Sequence, residues 1–188
     1  MISVKLNEKN ARLAASLMRF MPSQVQAAAV AAINRTITTT RKEISKAVRE
    51  RYIIRAGDVK RALFTQKAKN QSLRGVITVK GTPLSLAKFR LRRRKRGPVR
   101  VQVLRGGSAR PVKGLFVQRF PSGYEGPMHR RKRARYPLAT PFGPSVPAMV
   151  GKEETLEQFV PKAEKTLNER FLHEIKWRLS KKLGVGKK

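Results

Sequence analysis

The sequence predicts an α+β fold: N-terminal helices including one long helix, a small antiparallel β-sheet with a basic hairpin, and a long C-terminal amphipathic helix. Three observations predict it. Apolar residues recur at steps of three and four as far as about residue 51. From Leu73 the pattern alternates at period two and is cut by Gly and Pro. Past Met149 the helical period returns. A length of 188 residues suits one domain with its own core. Its parts are expected as helices over 1–70, strands over 71–135, an extended Pro-rich segment over 136–150 and the final helix over 151–188.

In NEKNARLAASLMRF, Leu13, Leu17 and Phe20 or Met21 fall at helical spacing and Pro22 interrupts it, which places a first helix over about 8–20. Val25, Ala28, Ala29, Ala32, Ile33, Ile37, Ile44, Ala47 and Val48 then trace one narrow stripe, so a long helix is expected over about 23–51. Its Ala-rich face permits close approach of another helix or of a subunit. The β-branched TITTT at 36–40 weakens helix propensity and allows a bend near Thr38. Asp58 is placed to N-cap a short helix through Phe64.

LRGVITVKG, LSLAKFRLR, VRVQVL and GLFVQRF read as four short antiparallel strands. A basic strand then ends at residues 130–135, and Tyr136 to Met149 reads as an extended segment. In that segment Pro137, Pro141, Pro144 and Pro147 lower the entropy lost on ordering. Tyr136, Leu138, Phe142, Val146 and Met149 are its apolar anchors, for a groove on this chain or on the next subunit. Docking within the chain is the expectation, because loops most often pack on their own domain. Leu156, Val160, Ala163, Leu167, Phe171, Ile175 and Leu179 stripe the final helix, which Pro161 starts or kinks, and GVGKK reads as a frayed end.

Charge dominates the composition. Forty-four Lys and Arg against eleven Asp and Glu give a net charge of +33, which a compact fold tolerates with a polyanion nearby. Nucleic acid is the first candidate and an anionic membrane the second. A hydrophobic content of 40% argues against a wholly disordered basic tail. Residues 60–152 hold twenty-four cations and the single acid Glu125, so the strand region is the expected polyanion-facing part. The absence of Cys excludes disulfides and thiolate metal sites. A start without a secretory pattern, and no long apolar run, predict a soluble, unexported chain.

The residues give little support to catalysis. His129 and His173 have no Cys, His or Asp at ligand spacing, so no metal is expected, and His173 reads as a surface or partly packed residue of an amphipathic helix. The acids at 153–174 suit i to i+4 pairing with Lys, and neither G-x-x-x-x-G-K-[ST] nor G-x-G-x-x-G occurs. No cofactor is expected. What remains is cations: Arg92, Arg93, Arg94, Lys95 and Arg96 at a hairpin tip, then Arg100 and Arg105, then Arg130, Arg131, Lys132, Arg133 and Arg135. An isolated basic run is ordinarily a solvated face. Two clusters on so cationic a chain point instead to nucleic-acid backbone phosphates, without base readout, since zinc-finger spacing and a recognition-helix pattern are missing and few aromatics interleave with the cations. A free, sequence-nonspecific nucleic-acid-binding protein of ribosomal or nucleoid type shares this composition.

The ordered combination of RERYIIRAGDVKRAL, GTPLSLAKFR, GLFVQRFPSGYEGPMHRRKRARYPLATPFGPSVPAMVG and a Glu/Lys-rich final helix resembles the minor tail protein Z family, tail completion proteins of long-tailed bacteriophages and prophages. The resemblance runs from about Pro22 to Leu179. It is most specific at Gly114, Phe116, Ser122, Gly123, Arg130, Arg131, Lys132, Arg135, Pro137, Leu138 and residues 143–147. It departs at Pro121 and in the long cluster at 92–96. The resemblance implies a structural virion protein, not an enzyme, at the head-proximal end of the tail, where it helps position the DNA end. Implied partners are the tail tube, tail terminator, connector, tape measure and genome DNA, with assembly in the host cytoplasm and no membrane role. A homo-oligomeric ring follows by analogy with tail tubes, which also supplies the expectation of a hexamer.

Overall fold

Asn7 opens the first helix. Its side chain accepts the Asn10 N–H at 2.9 Å, a cap that fixes α1 as Glu8–Met18. The helix ends two residues before the expected Phe20, because the Phe20 and Met21 amides both turn back to the Leu17 carbonyl. Pro22 then begins α2, Pro22–Arg51, at a position where a missing N–H costs nothing. The helix assignment is continuous through the threonines. Thr36 and Thr38 donate their hydroxyls to the carbonyls of Ala32 and Asn34, each at 2.9 Å, so their polar groups stay satisfied.

The computed structural model describes residues 4–93, 97–151 and 158–182. Contacts divide the chain into two compact units. The first comprises Met1–Ile44, Leu63–Thr78 and Gly151–Lys188, and the second Ser45–Ala62 and Val79–Val150.

In the first unit the Ala face of α2 receives the last helix, α5, Phe159–Lys182. Ala28 and Ala32 have no exposed surface, and with Val25 they pack against Leu167, Phe171 and Ile175. The stripe is as the spacing predicts, with Leu156 lying outside the described residues. Pro161 falls in the first turn of α5, so it starts the helix. Buried Asn10 ties α1 to α5 by donating to the Asn168 side-chain oxygen at 2.9 Å, and the Asn7 amide donates to the same atom at 3.0 Å. Two short strands, β1 (Leu63–Gln66) and β2 (Val76–Val79), pair with each other. Asn34 holds the chain after β1 by accepting the Ala68 amide at 2.8 Å and donating to the Ala68 carbonyl at 3.2 Å. Gly75 passes so close to Ile33 and Ile37 that a Cβ there has no room.

The second unit is built from short pieces. Helix α3 spans Ala56–Ala62. Asp58 lies inside its first turn rather than at the N-cap, since the Asp58 and Val59 amides turn to the Arg55 carbonyl. Phe64 belongs to β1, not to this helix. The strands are β3 (Pro83–Ser85), β4 (Arg90–Arg92), β5 (Arg100–Gln102), β6 (Arg110–Pro111), β7 (Leu115–Arg119), β8 (Glu125–Arg130), β9 (Leu138–Ala139) and β10 (Phe142–Ser145). Helix α4, Val146–Val150, closes the unit.

The class is α+β, as expected, but the four-strand reading is corrected. Three small antiparallel sheets form in this unit, ordered β10–β3, β4–β5–β6 and β7–β8–β9. LSLAKFRLR is two strands split by a 3-10 turn at Leu86–Lys88, where the Ser85 hydroxyl accepts the Ala87 amide. Prolines limit strand growth because they lack the ladder donor. The basic strand ends at Arg130, and residues 131–135 form bends. The expected extended segment ends early as well: Ser145 accepts the Ala148 amide and starts α4.

Candidate functional site

The first basic cluster sits on a true hairpin. β4 and β5 pair with Leu91 opposite Val101, which is buried, and with Arg92 opposite Arg100 on the other face. Like charges directly opposite are destabilising unless an anion lies between them. Arg93 forms an ion pair with Glu125. Arg94, Lys95 and Arg96 lie outside the described residues.

The second cluster follows β8. Arg130 pairs in register with Leu138, and its guanidinium lies 5.3 Å from the centre of the Phe116 ring. Residues 131–135 are all exposed, and among the described residues Arg131, Lys132, Arg133 and Arg135 form no ion pair. Arg135 lies 5.9 Å from the centre of the Tyr136 ring, which is itself exposed.

The described residues of the two clusters are not brought together. Arg93 is held at Glu125, the first residue of β8, whereas Arg130 is its last. Five strand steps separate those ends by about 17 Å, so they offer two contact points rather than one patch. Arg100 is half-buried, and Arg105 has a different task. Its Nε donates to the Arg49 carbonyl at 3.0 Å and its amide to the Arg51 carbonyl at 2.9 Å, closing the C-terminal end of α2. A signal for this cap exists in the sequence: α2 ends at Arg51 with Tyr52, Ile53 and Ile54 following, and no Gly to complete the turn.

The acids of the second unit are few, and each is already paired. Asp58, with a side chain only 6% exposed, accepts Lys88 at 3.0 Å and faces Arg61 at 3.5 Å. Glu50 faces Lys46 at 3.8 Å, and Glu125 takes Arg93. By sequence the unit carries twenty-four Lys and Arg against these three acids. By sequence, twenty-one of its positive charges therefore have no compensating acid within the unit.

The apolar anchors separate into two groups. Val146 and Met149 are buried, and Leu138 is half-buried in β9. Tyr136 and Phe142 point outward, 64% and 63% exposed.

Among the described residues no three His, Cys, Asp or Glu side chains converge as metal ligands, and no helix is long and apolar enough to cross a membrane. His129 is half-buried in β8, opposite Leu115 and Ala139, and His173 is exposed on α5.

The family model of prophage minor tail protein Z matches residues 12–185. Neither a curated protein nor a solved structure matches the chain.

Proposed function

The chain belongs to the prophage minor tail protein Z family, and on that footing we propose that it completes the head-proximal end of the tail at the neck, contacting genome DNA phosphates and helping to position the DNA end. As a member it is a structural protein of the phage tail, carried in the virion among other tail components. The observation that supports DNA contact is the charge of the second unit, twenty-four cations whose three acids are all paired internally. The exposed bend at 131–135 is the best placed to meet phosphate, and the β4–β5 hairpin offers a separate second point.

Phosphate contact without base readout suits a conduit, because it attracts any sequence and holds none in register. In this reading the subunits form a closed ring, as a hexamer by analogy with tail tubes, beside the tail tube, tail terminator, connector and tape measure. The test is a phage carrying Arg131→Gln, Lys132→Gln, Arg133→Gln and Arg135→Gln. Tails of normal length with infectivity reduced at least tenfold are expected. Undiminished infectivity would overturn the DNA role, and tailless particles would assign the bend to assembly instead.

A further inference from the structure

Two arginine–aromatic pairs bracket the exposed bend of the second unit. At its start Arg130 holds its guanidinium 5.3 Å from the Phe116 ring centre, and at its end Arg135 lies 5.9 Å from that of Tyr136. The bend is closed at its base, because the Arg131 amide donates to the Pro137 carbonyl at 3.4 Å. Tyr136 is therefore presented on the same closed loop as Arg131, Lys132, Arg133 and Arg135. The two rings differ in cover. Phe116 is half-buried, opposite Met128 in the β7–β8 ladder, so its ring serves the sheet. Tyr136 has no such cover: it is 64% exposed, and the neighbouring guanidinium leaves ring surface open.

Phosphate attraction accounts for the cations of this loop but not for its ring. A lone surface aromatic is ordinary. This one stands among four cations that form no ion pair among the described residues. Cations that follow a sugar-phosphate backbone and an exposed ring on which a base stacks are the two parts of a single-strand platform. Bases in a duplex are stacked on one another and offer Tyr136 no face, whereas an unpaired strand offers one at every nucleotide. We propose that the loop at 131–136 binds single-stranded DNA, with Tyr136 stacked on a base and Arg131, Lys132, Arg133 and Arg135 on the flanking phosphates. Stacking accepts any base, so the site adds affinity without sequence readout. The inference deepens the phosphate-contact reading above and rests on it, adding a preference for unpaired strand over intact duplex.

Fluorescence anisotropy with the full chain at about 0.15 M salt tests this. The labelled probes, of about 16 nucleotides or base pairs, are oligothymidylate, an abasic strand with the same phosphates, and random duplex. The wild type should bind oligothymidylate roughly tenfold or more tighter than the abasic strand. Tyr136→Leu should weaken oligothymidylate binding about tenfold, the size of one lost base stack, and leave abasic and duplex binding within about twofold. Its salt slope should match the wild type, whereas Arg135→Gln should lower the single-strand slope by about 0.7, one phosphate contact. Tyr136→Phe, which keeps the ring, should bind as the wild type does. The urea midpoint of Tyr136→Leu should be unchanged, because the side chain is exposed. Equal binding of oligothymidylate and abasic strand would overturn the inference and leave the phosphate reading standing. So would a Tyr136→Leu variant that binds every probe like the wild type, or one that weakens all three equally. A chain that binds none of the probes would overturn both readings.

Discussion

Arg105 and Arg131 look alike in the sequence and act differently. Arg105 spends its Nε on the Arg49 carbonyl, 56 residues away in the chain, while Arg131 stands exposed on a bend among other cations. Arg105→Gln should therefore lower stability by about 1 kcal/mol in urea unfolding and leave the salt dependence of DNA binding nearly unchanged. Replacing Arg131, Lys132, Arg133 and Arg135 with Gln should leave stability near that of the wild type. It should reduce the log–log salt slope for random duplex by up to about 3.6, at 0.9 for each phosphate contact. Asp58 makes a third case. Its buried carboxylate holds Lys88 at 3.0 Å, and Asp58→Asn should cost about 1.5 kcal/mol, read as a lower urea midpoint. The charge of each residue was legible in the sequence, but its partner was not. Glu125 shows the difference: its isolation among cations could be read, whereas its pairing with Arg93 depends on β4 and β8 meeting.

At the scale of elements, legibility follows length. α2 and α5 carry enough turns for their stripes to declare themselves, and the structure packs the first part of the α2 stripe, Val25, Ala28 and Ala32, against that of α5. The close fit rests on Ala28 and Ala32, so Ala32→Leu should destabilise the first unit by about 1–3 kcal/mol through overpacking. Ala11→Leu, on the exposed face of α1, should change little. Strands of two to six residues give periodicity too little to work with, which is why β6 has no counterpart in the sequence reading and β9 and β10 lie inside the expected extended segment. Other signals were present but outweighed. Ser145 followed by Val146 and Pro147 is a helix-start pattern inside what looked like an extended Pro-rich segment. Ser145→Ala should accordingly lower stability by about 1 kcal/mol, measurable as a shift in the urea midpoint of the second unit.

For the whole molecule, the sequence discloses a large excess of positive charge, and the structure adds where it lacks compensation. The second unit has three acids, each already paired, whereas the first holds eight of the eleven. That asymmetry is the observation on which the proposed DNA contact rests. Of the expected anchors, Val146 and Met149 are buried, while Tyr136 and Phe142 stay outward. The most direct measurement is an electron-cryomicroscopy reconstruction of the phage neck. The account predicts this subunit at the head-proximal end of the tail, with Arg131, Lys132, Arg133 and Arg135 within about 4 Å of DNA phosphates or facing them across the lumen. A subunit located elsewhere in the tail, or one whose bend at 131–135 is buried against protein, would contradict it.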